Sequence, residues 1–168
     1  MNTTTKPEAT ILDLDSLLDR KMDEVETLPD FVTPPAGVYV LSVKKAETEK
    51  YKSKDEPNKE KLRIRMTYAI DRVVQVKDGE FPPAVGSLFS ETFTATEDGV
   101  KYFKKACMGA LGVKEFGADT SLRDVMEGVT GVSFEARITI RKTPGQDGAV
   151  FENINIRAVN AEPDTAGA

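Results

Sequence analysis

The sequence contains no histidine and no tryptophan, and its one cysteine is Cys107. Without histidine, the chain can form neither a histidine-containing zinc site nor a serine–histidine or cysteine–histidine catalytic pair. A single cysteine excludes disulfides within the chain and zinc sites made of several thiolates, and is typical of a reducing compartment. No compact carboxylate cluster indicates magnesium-dependent chemistry. We therefore expect no catalytic residues, no metal, no cofactor and no enzymatic activity.

Long hydrophobic runs are also absent. No stretch approaches the length of about 18 apolar residues that a membrane-spanning helix needs, and the polar N-terminus lacks the apolar region of a secretory signal. We expect a cytoplasmic protein with no membrane segment. Apolar residues make up 39 % of the 168 residues, which is enough to build the core of one main domain.

Charge is distributed unevenly along the chain. Residues 1–36 carry a net charge of −5, whereas residues 38–72 carry +4. In the acidic leader, residues 1–36, helical spacing of apolar residues predicts a short amphipathic helix that ends at Leu28-Pro29, before a proline-rich linker. We expect residues 10–28 either to dock by their apolar face on the folded domain or on a partner, so that their acids compete with an anionic ligand for the basic residues, or simply to pack as a helix with a solvated acidic face.

Alternating apolar and polar residues predict five strands between residues 37 and 161, which we take as the folded domain, followed by a flexible end at 162–168. The strands begin near Val38, Leu62, Val85, Val132 and Val150, and a helix around 100–111 separates the third from the fourth. Residues 45–61 are polar and predict a mobile loop. This β-β-β-α-β-β order is that of the OB-fold, a five-stranded Greek-key barrel. An open α+β sheet is the alternative.

Basic and amide side chains fall on the outward positions of these strands and in the first and last loops between strands. OB-folds bind single-stranded nucleic acid across strands two and three, between those two loops. Cations there would neutralise phosphates. Ordinary solvated strand faces are the alternative explanation. The candidate DNA-binding residues of this kind are Lys44, Lys50, Lys52, Lys54, Arg63, Arg65, Arg137, Arg141, Lys142, Asn153 and Arg157.

Four aromatic residues complete the candidate DNA-binding set, because aromatic rings stack on bases of any identity. Tyr51 lies between lysines in the first loop, and Phe151 has the outward parity of the last strand. Phe89 and Phe93 share one face of the third strand. If that face points inward, the outward positions are polar and the site is mostly electrostatic.

A family resemblance rests on the order of several short motifs. The acidic leader is followed by Pro35-Ala36-Gly37-Val38-Tyr39-Val40, then by Lys61-Leu62-Arg63-Ile64-Arg65, a strand from Leu88 to Phe93, and a helix that ends Ala110-Leu111-Gly112-Val113. A strand from Gly131 to Arg141 and the sequence Phe151-Glu152-Asn153-Ile154 close the series. Over about residues 33–160 this arrangement resembles the small bacteriophage-encoded single-stranded DNA-binding proteins with an OB-fold.

The resemblance implies a protein that coats exposed single strands during phage DNA replication and recombination in the host cytoplasm. Its partners would be single-stranded DNA and phage replication or recombination proteins. By analogy, Arg63, Arg65, Arg137 and Arg157 fall on the binding face. Many such proteins end in an acidic tail that recruits replication enzymes, whereas this chain has only Glu162 and Asp164 there. The alternative function is a phage structural or host-interaction module that binds protein through a β-barrel surface.

Overall fold

The computed structural model describes residues 13–159. Residues 1–12 of the acidic leader and the end at 162–168 that was predicted to be flexible lie outside this range. The described elements are α1 (Leu14–Leu18), a 3-10 turn (Met22–Glu24), β1 (Gly37–Lys52), β2 (Glu60–Val76), β3 (Leu88–Thr94), α2 (Glu97–Leu111), α3 (Leu122–Val129), β4 (Ser133–Pro144), a second 3-10 turn (Gln146–Gly148) and β5 (Val150–Ala158). None of the helices found between residues 13 and 159 is long and apolar enough to cross a membrane.

The five strands form one antiparallel sheet in the order β3-β2-β1-β4-β5. The prediction of a mainly β chain with five strands and a helix after the third is therefore confirmed. Strands β3 and β5 are the two ends of the sheet, and within residues 13–159 they do not pair with each other. Both nevertheless contact α2, so the sheet curves toward that helix.

Two long hairpins extend from opposite ends of the sheet. Strand β1 pairs with β4 only over Gly37–Ser42, and its remaining residues continue beside β2 alone. Strand β4 likewise continues past Ile138 beside β5 alone. The prediction of a mobile loop at 45–61 is wrong, since most of that segment is paired strand. Oppositely charged residues that face each other across β1 and β2, such as Glu49 and Arg63, stabilise this polar hairpin.

The core lies between the inner face of the sheet and the two longer helices. Alternate residues of β1, β2, β3 and β4 point inward, and α2 adds Phe103, Cys107 and Ala110 from its apolar stripe. Cys107 is buried, as free cysteines commonly are. The largest fully buried side chains include Tyr39, Tyr68, Phe89, Phe103, Leu41, Ile64, Met66, Ile70 and Ile138.

Local signals fix the ends of both longer helices. The Thr96 side chain accepts a hydrogen bond from the Gly99 amide at the start of α2, and Gly112 ends the helix in the left-handed region at φ 67°. Ser121 and Asp124 form a reciprocal capping box at the start of α3. Gly99 lies in the first turn of α2, and glycine is required there because a Cβ would collide with the backbone of Thr94.

The acidic leader contains less helix than predicted. Leu14, Leu18 and Met22 are each about 70 % exposed, so these side chains do not dock on the sheet. The leader instead joins the sheet further along, where Leu88 donates a hydrogen bond from its amide to the Asp30 carbonyl and accepts one from the Val32 amide. Docking of the apolar leader side chains on a partner stays a prediction.

Candidate nucleic-acid interface

The outer face of the β4–β5 hairpin collects most of the predicted binding residues of the last two strands. The register pairs Arg137 with Arg157 and Arg141 with Asn153. Ile138 and Ile156, which pair between these rows, point into the core. The outward facing predicted for these residues is therefore confirmed. Two cations side by side, then the polar pair Thr139–Asn155, then an amide beside a third cation form a surface that can bind phosphates.

Phe151 extends this surface toward the hairpin tip. It pairs with Thr143 next to the row of Arg141 and Asn153, and its side chain is 60 % exposed. The ring lies over Gly145, where any Cβ would collide with it. Only a glycine leaves room for the ring at this position, and most of the ring remains exposed to solvent. An exposed ring beside arginines is what base stacking requires.

On the β1–β2 hairpin the predicted residues come together around an acid that was not predicted. Arg63 and Arg65 both form ion pairs with Glu49, the latter at 2.9 Å between its Nη2 and Glu49 Oε1. The Arg63 guanidinium also lies 4.7 Å from the centre of the Tyr51 ring. One face of Tyr51 and much of the charge of both arginines are thus already engaged within the protein.

The remaining predicted cations divide into those that form an ion pair with a carboxylate and those that do not. Lys50 lies 3.8 Å from Glu60 and Lys142 lies 3.6 Å from Glu152, both as exposed pairs that contribute little. Among the residues that the structure describes, Lys52 and Lys54 make no ion pair, and the same holds for Lys44, Arg137 and Arg141. These five cations are the ones that a phosphate could approach without breaking a contact with a carboxylate.

The prediction that Phe89 and Phe93 stack on bases is wrong. Their side chains are 2 % and 7 % exposed. The ring centroid of Phe89 lies 5.3 Å from that of Tyr68, and Phe93 meets Phe103 edge to face at 5.5 Å. These rings pack in the core because the face of β3 that carries them continues the inward face of its neighbour, β2. The outward positions Ser90, Thr92 and Thr94 of β3 are polar, so any nucleic acid bound there would be held by charge and hydrogen bonds rather than by stacking.

Sequence reasoning missed Glu91. Between Phe89 and Phe93, it has the same inward parity, and the Tyr68 hydroxyl donates a hydrogen bond to its Oε2 at 3.0 Å. Burial raises the pKa of Glu91 to about 7. Burial, followed by the charge of Glu91, raises the pKa of Tyr68 well above its usual value. The signal was available: once two phenylalanines share the core face of a strand, so does the residue midway between them.

Glu91 opens onto a cavity of about 260 Å³ between α2, β3 and β5. Tyr68 and Phe93 form its buried floor, while Tyr102, Lys105 and Asn155 are exposed at its mouth. Perturbed ionisable groups in clefts mark candidate functional sites. No group of three or more Asp, Glu or Cys side chains within residues 13–159 is arranged to hold a metal ion.

Comparison with models of known protein families gives no match, and comparison with curated protein sequences gives none either.

Proposed function

We propose that this protein binds single-stranded DNA without sequence specificity, and that its curved sheet is an OB-type Greek-key barrel. The strand order, the helix after the third strand and the packing of α2 against both end strands support the barrel. In an OB-fold the first and last hairpins flank the binding face, and here both hairpins extend well beyond the central sheet.

One observation carries the proposal: the outer face of the β4–β5 hairpin presents Arg137 beside Arg157 and Arg141 beside Asn153, separated by the polar pair Thr139–Asn155, and ends at the exposed ring of Phe151. Arginines bind phosphates of any sequence, and a phenyl ring stacks on any base. A surface with both features suits a ligand that exposes its bases, as single strands do and duplexes do not.

The biological part of the proposal follows from the resemblance. The protein coats single strands exposed during phage DNA replication and recombination, in the cytoplasm of the host bacterium. Phage replication or recombination proteins are its expected protein partners.

The test is a fluorescence anisotropy titration with labelled oligo-dT of about 15 nucleotides, at roughly 50 and 200 mM salt. Affinity should fall steeply with salt, and the variant Arg137→Ala/Arg141→Ala should lower the log–log slope by about 0.7 for each lost phosphate contact. Lys104→Ala removes an exposed cation from α2 and serves as the matched control. A flat salt response, or tighter binding to duplex, contradicts the proposal.

A second candidate is a phage structural or host-interaction module that binds protein. The exposed apolar side chains of the leader, Leu14, Leu18 and Met22, favour it. Exposed apolar groups of this kind are typical of protein-binding segments. This function becomes the better one if the chain fails to bind oligo-dT but recruits a protein through residues 13–31.

A further inference from the structure

The position of Glu91 inside the sheet is energetically unfavourable and calls for a reason. Strand alternation places Glu91 on the core face of β3, where the residues two positions before and after it are Phe89 and Phe93. Burying a carboxylate is costly unless it is well paired, and the hydrogen bond from the Tyr68 hydroxyl is a single neutral contact. Departures from the local rules of folding concentrate at functional sites.

The surroundings of Glu91 define what could bind there. Aromatic rings of Tyr68, Phe93, Tyr102 and Phe134 line the cavity, and Asn155 adds an amide. Lys105 and Arg157 lie at its mouth. A volume of about 260 Å³ lies just under the range of roughly 300–1,000 Å³ typical of pockets for drug-sized ligands. The cavity therefore suits one flat ring system that carries hydrogen-bond donors and is attached to an anionic chain.

The cavity is also continuous with the proposed DNA surface. Arg157 and Asn155 line the cavity, and they belong to the same strand as Asn153 and Phe151. Arg157 pairs with Arg137 on the outer face of the β4–β5 hairpin. A single strand lying along that hairpin would therefore pass the mouth of the cavity with its backbone on the arginines.

We propose that this cavity receives one unstacked base of the bound single strand and that Glu91 makes guanine the preferred base. Guanine presents two adjacent donors, N1–H and N2–H, which match the two oxygens of a carboxylate. Adenine and cytosine offer one amino group each, and the single N–H of thymine is flanked by carbonyl oxygens that a carboxylate repels. This inference rests on the proposed function and adds a base preference to it.

The experiment compares three oligonucleotides of about 15 residues: oligo-dT, the same strand with one central guanine, and the same strand with central inosine. The base of inosine, hypoxanthine, differs from guanine only by lacking the N2 amino group. Titrations at about pH 8 keep the carboxylate ionised, because the pKa of Glu91 is about 7. We expect the guanine strand to bind several-fold more tightly than oligo-dT, approaching tenfold, and the inosine strand to lose most of that gain.

Two variants connect the preference to the cavity. Glu91→Gln keeps the side-chain shape and an oxygen acceptor for Tyr68, and it should abolish the guanine preference without weakening oligo-dT binding. Tyr102→Ala removes an exposed wall of the cavity, 69 % exposed, and should reduce the preference without loss of fold. Glu115→Gln, an exposed carboxylate outside the cavity, is the matched control and should keep the preference.

The outcomes separate the two proposals. If wild type binds all three strands equally, the base pocket is refuted while DNA binding stands. A preference that survives in both Glu91→Gln and Tyr102→Ala also refutes it, because the guanine then binds elsewhere. If wild type does not bind oligo-dT at all, the proposed function fails and this inference fails with it.

Discussion

Replacing Glu91 with glutamine should change how the stability of the protein depends on pH. In the folded chain the carboxyl is partly buried against Tyr68, and this burial raises its pKa from 4.5 to about 7. The unfolded chain leaves the same group in water. Between these two pKa values the folded state holds more protons than the unfolded state, so the free energy of unfolding falls as pH rises.

The magnitude follows from the size of the shift. A difference of one pKa unit corresponds to about 1.4 kcal/mol, so the full shift amounts to about 3 kcal/mol. Ionisation of Glu91 does not destabilise the folded protein below about pH 4.5. Its cost grows between the two pKa values and reaches its full size above about pH 7. Besides Tyr68, the ionisable groups around Glu91 are Tyr102, Lys105 and Cys107 of α2 and Arg157 of β5. The hydrogen bond from Tyr68 favours the carboxylate and opposes the effect of burial, so about 3 kcal/mol is the net of the two effects.

The assay is urea unfolding of wild type and Glu91→Gln at several pH values from about 4 to 8. Glutamine cannot ionise, so the stability of the variant relative to wild type should rise by up to about 3 kcal/mol across this range. Effects of every other titrating group cancel in the difference, as does any constant cost of the new amide. If the free energy of unfolding depends on pH in the same way in both proteins, burial does not raise the pKa of Glu91, and the reasoning is refuted.

Three further results are expected. Phe151→Ala should weaken oligo-dT binding by roughly 1–3 kcal/mol with an unchanged melting temperature, whereas Tyr51→Ala should cost less because Arg63 already covers one face of that ring; equal losses would contradict this order. Phe89→Ala should lower the free energy of unfolding by about 3–5 kcal/mol in chemical denaturation, and a folded variant of unchanged stability would place the ring outside the core. Deleting residues 1–30 should tighten DNA binding in anisotropy titrations if the leader acids compete for the cations, while unchanged affinity in a folded variant excludes competition.

Strand content was predictable because alternation is a local property of the chain. The inward set Ile138, Ile154 and Ile156 was readable from period-two spacing, and pairing in the sheet confirms it. The stop of α2 at Gly112 was equally local, since a left-handed residue there suits glycine. What fails is the extent of strands whose two faces are both polar. Residues 45–52 lack apolar alternation. Their own sequence therefore does not show that they pair with residues 60–67 of β2.

For the proposed binding surface, the sequence predicted which side chains point outward but not which cations are already paired with carboxylates. Counting cations in residues 38–72 gives a positive segment, yet Glu49 lies opposite Arg63 and pairs with Arg65 as well. Which carboxylate meets which guanidinium depends on hairpin register, and the bulge between Val43 and Lys45 shifts that register by one residue. A sequence count therefore overestimates the charge that this hairpin offers to DNA.

The orientation of β3 decides where any specificity can arise. With Phe89 and Phe93 in the core, the outer faces of β2 and β3 are polar, and Thr67 and Ser90 are hydrogen-bonded at 3.2 Å. Under the proposed function such a surface would suit a sugar–phosphate backbone, but it has no exposed ring that could select a base. The same orientation turns Glu91 inward and places its carboxylate in a cavity that opens beside Arg157. In the proposed binding mode, non-specific affinity and base preference would therefore be separated in space: arginines on the outer face of the β4–β5 hairpin would supply the first, and the Glu91 carboxylate within the sheet would supply the second.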